Sequence, residues 1–188
     1  MKKIVLFASG SGSNVENIVK YFKDNTKVEI TRVYTNNPNA SVIERCERLN
    51  IPCQVFGRKA FRENLTILDE LQSLTPDLIV LAGFLWLVPP AYVQAFPNKI
   101  INIHPALLPK YGGKGMYGQH VHEAVVANKE SESGITIHYV NEQYDEGNII
   151  RQVKCSIMPK DTADDVAHKV HALEYEHFPQ VIDELLKA

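Results

Sequence analysis

The chain has 188 residues, 45% of them hydrophobic, which suits one domain that buries a core of its own. Its 20 Lys and Arg against 22 Asp and Glu give a formal net charge of -2 without a basic stripe, so a nucleic-acid partner is not expected. No segment approaches the ~20 apolar residues of a membrane span, and three cysteines without Cys-x-x-Cys spacing predict a reducing, cytoplasmic location without disulfides or a zinc knuckle.

Short apolar, β-branched runs alternate with longer segments of helical spacing, a pattern typical of a parallel sheet with crossover helices. The predicted strands are residues 3–8, 29–35, 52–56, 78–82, 100–103, 135–140 and 149–157. The predicted helices are residues 14–23, 41–49, 61–74, 90–95, 119–128 and 163–186. The prediction is an α/β fold in one domain over residues 1–188: an open, mostly parallel twisted sheet with helices on both faces.

The last two predicted strands differ from the first five. Each of the first five connects to the next through a helix, so these strands should be parallel, with right-handed crossovers. Residues 141–148 are rich in turn formers and too few for a helix, which predicts an antiparallel hairpin near the C-terminus. Ligands of such sheets bind beyond the carboxyl ends of the strands, so the loops there should carry the chemistry.

The first loop (residues 10–14), Gly-Ser-Gly-Ser-Asn, follows the first strand and opens the first helix. Free backbone N–H groups and the helix dipole favour an anion there, and small residues let a phosphate approach closely. The loop is not a dinucleotide fingerprint, because Val15 occupies the position of the third glycine. A tight turn with a capping serine is the alternative interpretation.

Asn102 and His104 stand two residues apart at the end of the fifth strand and therefore share a face. A carboxamide donor beside an imidazole suits an oxygen that becomes negatively charged during acyl transfer. The alternative is a structural histidine in the core. The rigid, proline-containing loop that follows favours a functional role.

Asp145 lies in the predicted hairpin turn Tyr144-Asp145-Glu146-Gly147, a composition that many purely polar turns share. If Asp145 faces His104, its carboxylate should raise the pKa of the imidazole and help to move the proton of an attacking amine. Neither a Gly-x-Ser-x-Gly elbow nor a local Cys-His pair is present, so a covalent acyl-enzyme is not expected.

Two other segments are candidates. His168, His171 and Glu174 recur at three-residue spacing on the last helix, where a polar face or a substrate contact from Glu174 is preferred over a metal site. The glycine-rich loop (residues 112–118) contains four glycines and is predicted to close over substrate. Three further histidines are interpreted as structural or surface residues: His120, His122 and His138.

Four segments resemble the family of folate-dependent phosphoribosylglycinamide formyltransferases: residues 10–14, 76–84, 102–111 and the Asp145 turn. Residues 102–109 match the Asn-x-His-Pro-Ser-Leu-Leu-Pro motif of enzymes that use 10-formyltetrahydrofolate, with Ala106 in place of Ser. The resemblance implies a Rossmann-like formyltransferase fold and a cytoplasmic enzyme of purine biosynthesis. It also implies small-molecule substrates, a monomer or homodimer, 10-formyltetrahydrofolate as co-substrate, and no metal or ATP.

The resemblance assigns roles to individual residues. Asn102 and a protonated His104 would stabilise the oxyanion, and Asp145 would keep His104 protonated. The ribonucleotide would be held through its 5-phosphate by Gly12, Ser13 and Asn14, and through its glycinamide end by Glu174. Folate would lie near Asn102, with its glutamate tail near Arg62. One wall of its pocket would be formed by Leu85, Trp86, Leu87 and Val88. The other wall would be formed by residues 140–145, including Val140 and Tyr144. Two departures from the family are Trp86, where many relatives carry Arg, and Glu146, where Gly is common.

Three alternatives remain open at this point. Methionyl-tRNA formyltransferases share the folate motif but have a different first loop and a further tRNA-binding domain, and formyltetrahydrofolate hydrolases have a regulatory domain before the first strand. A non-catalytic module that binds a nucleotide or folate is the alternative from another class, since a fold alone does not fix function. The presence of Asn102, His104 and Asp145 together favours an enzyme.

Overall fold

The computed structural model describes residues 1–188. Its strands are β1 (Lys2–Phe7), β2 (Val28–Thr35), β3 (Cys53–Val55), β4 (Leu78–Leu81), β5 (Ile100–His104), β6 (Glu132–Tyr139) and β7 (Ile149–Ser156). Its helices are α1 (Ser13–Phe22), α2 (Val42–Leu49), α3 (Thr66–Leu74), α4 (Pro90–Ala95), α5 (Gln119–Ala127) and α6 (Ala163–Lys187). A π-helical turn (Lys59–Glu63) precedes α3.

The seven strands form one sheet in the order β3-β2-β1-β4-β5-β6-β7. Strands β1 to β5 are parallel, and β6 pairs antiparallel with both β5 and β7. The mostly parallel sheet and the C-terminal hairpin are therefore confirmed. A single reversed strand, β6, is what makes the sheet mixed.

One predicted helix is wrong in extent. Instead of a continuous helix over residues 61–74, the chain forms the π-helical turn and then begins α3 at Thr66. Leu65 between them has a left-handed backbone with φ 54, which interrupts the helix. Phe61 before the break and Ile67 after it are buried in the same core, so the helical spacing of apolar residues continues across the break in the sequence. The other predicted bounds agree with the structure to within three residues.

Side chains alternate along the central strands and build a separate core on each face of the sheet. Ile4 and Leu6 of β1 belong to the larger core, which also contains residues of α1, α2, α5 and α6. Val5 and Phe7 belong to the second core, which is rich in aromatic rings and includes residues of α3 and α4. Because side chains alternate between the two faces of a strand, each face of the sheet packs against its own layer of helices.

The edge of the sheet at which a ligand is expected lies at β1, because the chain continues from this strand to one side with β2 and to the other side with β4. Both β2 and β4 are neighbours of β1, so the strand order reverses there and leaves a crevice at the carboxyl ends. Helix α6, with 25 residues and a Thr162–Asp165 capping box, runs along α1, α5 and β6 beside this edge. None of the helices combines the length and apolar character needed to cross a membrane.

Gly134→Ala should destabilise the protein, because a Cβ at this position of β6 would overlap the backbone carbonyl of Val153 on β7. Overpacking of this kind costs about 1–3 kcal/mol, and each kcal/mol lowers the melting temperature of a domain of this size by roughly 2–4 °C. Gly57→Ala is the matched control, because its Cβ would meet no atom within 4 Å. Thermal unfolding of both variants measures the difference; equal melting temperatures would contradict the close β6–β7 packing.

Candidate active site

A polar cavity of about 670 Å³ opens at the carboxyl ends of the central strands. Its walls come from the first loop, from residues 82–85 after β4 and from residues 102–105 at the end of β5. Residues 113–119, the Tyr144–Asp145 turn and side chains of α5 and α6 complete it. Segments far apart in the sequence meet here because parallel strands end at one edge.

Asn102, His104 and Asp145 lie together in this cavity. One oxygen of Asp145, Oδ2, is 3.5 Å from Nδ1 of His104. The other, Oδ1, is 3.5 Å from Nδ2 of Asn102. The hairpin turn thus brings a carboxylate within reach of both side chains at the end of β5.

His104 is 3% exposed, and both of its ring nitrogens face protein groups. Nε2 donates a hydrogen bond of 2.6 Å to the carbonyl oxygen of Tyr111, which can only accept. Burial lowers the pKa of the imidazole below its ordinary value, and the opposing effects of Asp145 and the Tyr111 carbonyl do not offset this. Asp145 does raise the pKa of His104, as predicted, but desolvation of the ring outweighs this contribution, so the net shift does not favour the protonated imidazole that the resemblance implies.

Asp145 is a buried carboxylate whose charge is compensated on several sides. The backbone N–H of Gly113 donates to Oδ2 at 3.0 Å, and His138 Nε2 lies 3.6 Å from Oδ1. Burial acts to raise the pKa of this carboxyl, but the contacts with His138, His104 and Gly113 outweigh it and hold the pKa below its ordinary value. Asp145 also has a left-handed backbone with φ 55, a conformation that Asp tolerates better than most residues.

His138 belongs to this site, although the sequence interpretation treated it as structural. It lies directly opposite Asn102 in the antiparallel register of β5 and β6. Its Nδ1 donates to the carbonyl oxygen of Tyr139 at 2.9 Å, which leaves Nε2 to accept from Nδ2 of Asn102 at 3.1 Å. His138 thereby orients the amide of Asn102: one N–H is held by Nε2 of His138, and the other is directed toward Asp145.

Thr136, the register partner of His104, fixes the loop that follows β5. Its hydroxyl donates to the carbonyl oxygen of Ala106 at 2.7 Å and accepts from the N–H of Leu108 at 3.1 Å. Ala106 is fully buried, so the small side chain that replaces the family's Ser packs into the core. These hydrogen bonds attach the segment after His104 to β6.

The first loop is shaped by α2. Gly12 has φ 71, and a Cβ there would overlap the side chain of Val42, so only glycine fits. Nε of Arg45 donates to the carbonyl oxygen of Ser11 at 2.6 Å, while the guanidinium also pairs with Glu16. Gly12 caps α1 without a side-chain cap, which leaves the amide end of the helix open toward the cavity.

Glu174 on α6 is joined to the first loop. It is 5% exposed, and its Oε2 accepts hydrogen bonds from Asn14 Nδ2 at 3.0 Å and from His171 Nδ1 at 3.1 Å. Its Oε1 accepts no hydrogen bond from the protein and is free for a ligand. His168 is bonded to Asp164 instead, and no group of three or more His, Cys, Asp or Glu side chains is placed to hold a metal ion.

The residues predicted to bind folate are spread around one side of the cavity. Leu85, Asn102 and Tyr144 line it. The hydroxyl of Tyr144 accepts from the N–H of Leu87 at 3.1 Å, so the two predicted pocket walls touch. The other five do not line it: the guanidinium of Arg62 donates to the carbonyl oxygen of Leu87, and Trp86, Val88 and Val140 pack in or against the aromatic core.

Comparison with known proteins identifies relatives over nearly the whole chain. The model of the formyl transferase family matches residues 2–182. Phosphoribosylglycinamide formyltransferase of Haemophilus influenzae is 39% identical over 187 residues, covering 97% of this chain and 86% of that protein. The Bacillus subtilis enzyme of the same name is 38% identical over 191 residues, covering 99% and 95%. The crystal structure of the Anaplasma phagocytophilum enzyme of that name has a TM-score of 0.89 at 31% identity, covering 99% of this chain and 87% of that one.

The buried histidines of the cavity should make stability depend on pH. The pKa values of His104 and His122 are lowered chiefly by burial, so below about pH 6.5 the unfolded chain takes up protons that the folded protein does not. The free energy of unfolding should therefore fall as the pH drops from 7 to 5.5. The pKa of His171 is raised chiefly by its hydrogen bond to Glu174, so His171 contributes stability that is present at low pH and lost as the pH rises.

His171→Gln removes this opposing contribution and should steepen the loss of stability toward acid. Urea unfolding at a series of pH values measures the slope. His120→Gln is the control, because the side chain of His120 is 64% exposed. A slope unaltered by His171→Gln, or a wild-type stability that is constant over this range, would contradict the assignment.

Proposed function

The chain belongs to the formyl transferase family, and we propose that it transfers the formyl group of 10-formyltetrahydrofolate to the glycinamide amine of 5-phosphoribosylglycinamide, a step of purine biosynthesis. The products are formylglycinamide ribonucleotide and tetrahydrofolate. The observation that carries this proposal is the contact of Asn102, His104 and Asp145 within a cavity that also includes the first loop.

The two reactants bind from opposite parts of the cavity. The ribonucleotide places its phosphate on the amide end of α1 at Gly12, Ser13 and Asn14, and Oε1 of Glu174 accepts from its glycinamide end. Folate lies along Leu85 and Tyr144 with its formyl group at Asn102. Holding both molecules together replaces a bimolecular encounter, which supplies a large share of the rate acceleration.

The amine nitrogen attacks the formyl carbon, and the carbonyl oxygen becomes an oxyanion. The amide of Asn102 has two N–H groups, of which one is used by His138 at 3.1 Å. The other is 3.5 Å from Asp145, too far for a strong bond, and is available to the oxyanion. A donor in this role is worth roughly 3–4 kcal/mol in other acyl-transfer sites.

His104 starts the reaction as a neutral base. Nε2 carries the hydrogen donated to Tyr111, so the unprotonated Nδ1 faces Asp145 at 3.5 Å and accepts the proton that leaves the attacking amine. The resulting imidazolium is stabilised by the carboxylate of Asp145. It then returns the proton to N10 of the departing tetrahydrofolate, so charge and protons balance.

The proposal includes a cytoplasmic location, which the three free cysteines support because they suit a reducing compartment. The predicted monomer or homodimer, the absence of a metal and ATP requirement, and the closing of the glycine-rich loop stay predictions.

Release of tetrahydrofolate that depends on added 5-phosphoribosylglycinamide tests the proposed function. Turnover with both substrates present and none with either alone is the expected result. Tight folate binding without turnover would instead support a non-catalytic binding module.

His104→Ala should lower kcat by about a hundredfold to ten-thousandfold, because it removes the base that accepts the amine proton. Folate affinity should change little, since the proposed folate contacts are Leu85, Asn102 and Tyr144 rather than the ring of His104. Steady-state kinetics combined with fluorescence titration of folate separates the two effects. A variant with near wild-type kcat would overturn the assigned role.

His138→Ala should lower kcat by about tenfold to a hundredfold, because the amide of Asn102 loses the acceptor that orients it. KM for both substrates should change much less than kcat. His120→Ala, at an exposed position of α5, is the control and should retain wild-type kinetics. Loss of folding is checked by comparing melting temperatures; normal turnover of a folded His138 variant would refute an orienting role.

A further inference from the structure

The cavity contains little positive charge for the anions that it is proposed to bind. Its lining includes two carboxylates, Asp145 and Glu174, and only one permanently charged cation, Lys114. His104 and His122 also line it, but burial lowers both pKa values and leaves these rings neutral near pH 7. His171 already pairs with Glu174 at 3.1 Å.

A phosphate on the first loop therefore lacks a full counter-charge. Asn14 of this loop is 3.0 Å from Glu174, so the phosphate would lie near a carboxylate. Arg45 contacts the loop, but its guanidinium pairs with Glu16 and its Nε binds the Ser11 carbonyl on the side of α2. Backbone N–H groups and a helix dipole supply only partial charges against the roughly two negative charges of a phosphate monoester.

Lys114 has the properties of the missing cation. Its ammonium group makes no hydrogen bond or ion pair within the protein, whereas Lys110 in the same region is held by Glu130 at 3.2 Å. It lies between Gly113 and Gly115, whose φ values of 94 and 86 form a turn at the rim of the cavity. The N–H of Gly113 donates to Asp145, so the backbone next to Lys114 is fixed beside the reaction centre.

We propose that Lys114, which lines the same cavity as the first loop, binds the 5-phosphate of the ribonucleotide and makes the enzyme selective for the phosphorylated substrate. This inference rests on the proposed function. The glutamate tail of folate is the other anionic group available, but its predicted partner is Arg62, which does not line the cavity and donates to Leu87 instead. Lys114 and the first loop line one cavity, which favours the phosphate.

Lys114→Gln keeps the length and polarity of the side chain but removes its charge. KM for the ribonucleotide should rise roughly tenfold, as expected for the loss of a charge-assisted hydrogen bond, while kcat and KM for folate change less than about twofold. Added salt should raise the wild-type KM more than that of the variant, because salt screens the ion pair. Lys110→Gln is the matched control and should leave all three constants unchanged.

The dephosphorylated substrate, ribosylglycinamide, provides the decisive comparison. Wild type and Lys114→Gln should use it equally poorly, so the penalty of the substitution appears only when the phosphate is present. Inorganic phosphate should inhibit the wild type competitively and the variant about tenfold less. An unchanged ribonucleotide KM, or a rise confined to KM for folate, would overturn the inference.

If the proposed function itself is wrong, the experiments give a different result. A wild-type protein that binds the ribonucleotide in calorimetry but never releases tetrahydrofolate would refute formyl transfer. The same titration of the Lys114→Gln variant would still decide whether Lys114 binds phosphate, because weaker binding supports the inference and equal binding refutes it.

Discussion

The site depends on keeping one carboxylate charged inside a mostly buried pocket. Asp145 has a side chain only 11% exposed, and a buried charge is costly unless several groups compensate it. Here the N–H of Gly113 donates to Oδ2 at 3.0 Å, and the amide of Asn102 on β5 lies 3.5 Å from Oδ1. Each of these groups belongs to a different segment, so the need to compensate Asp145 holds the hairpin turn, the sheet and the glycine-rich loop in one arrangement.

Each of the two cores supports a different part of the cavity. The larger core, with α1, α2, α5 and α6, positions the first loop and Glu174. The aromatic core supports the segment after β4, where Phe84 and Trp86 pack against Phe56 and Phe61. Trp86 is directed into this core and stacked by Arg58, so its replacement of the family's Arg alters packing behind the pocket wall. The reacting groups at the end of β5 lie at the edge of the sheet that separates the two cores.

The sequence predicted the features that depend on local patterns. Short apolar, β-branched runs between helical segments located all seven strands, and the spacing of Asn102 and His104 placed both on one strand end. What it missed depends on contacts between distant segments. The role of His138 follows from the register of β6 against β5, two strands separated by the whole of α5. The lowered pKa of His104 follows from how deeply the ring is buried, because burial outweighs the opposing effect of Asp145. The break at Leu65 was hidden because both sides of it pack on one core.

The glycine-rich loop and the preceding residues connect substrate binding to chemistry. The carbonyl of Tyr111 fixes the hydrogen of His104 on Nε2, and the N–H of Gly113 holds Asp145. These two groups are two residues apart, so a change in this backbone alters the tautomer of the base and the position of its carboxylate together. Lys114 is the next residue, and neither contact involves its side chain, so its substitution is expected to change binding rather than kcat. The residue that recognises the ribonucleotide is thereby joined covalently to the groups that prepare His104 for the amine proton, so that recognition and catalysis share one segment.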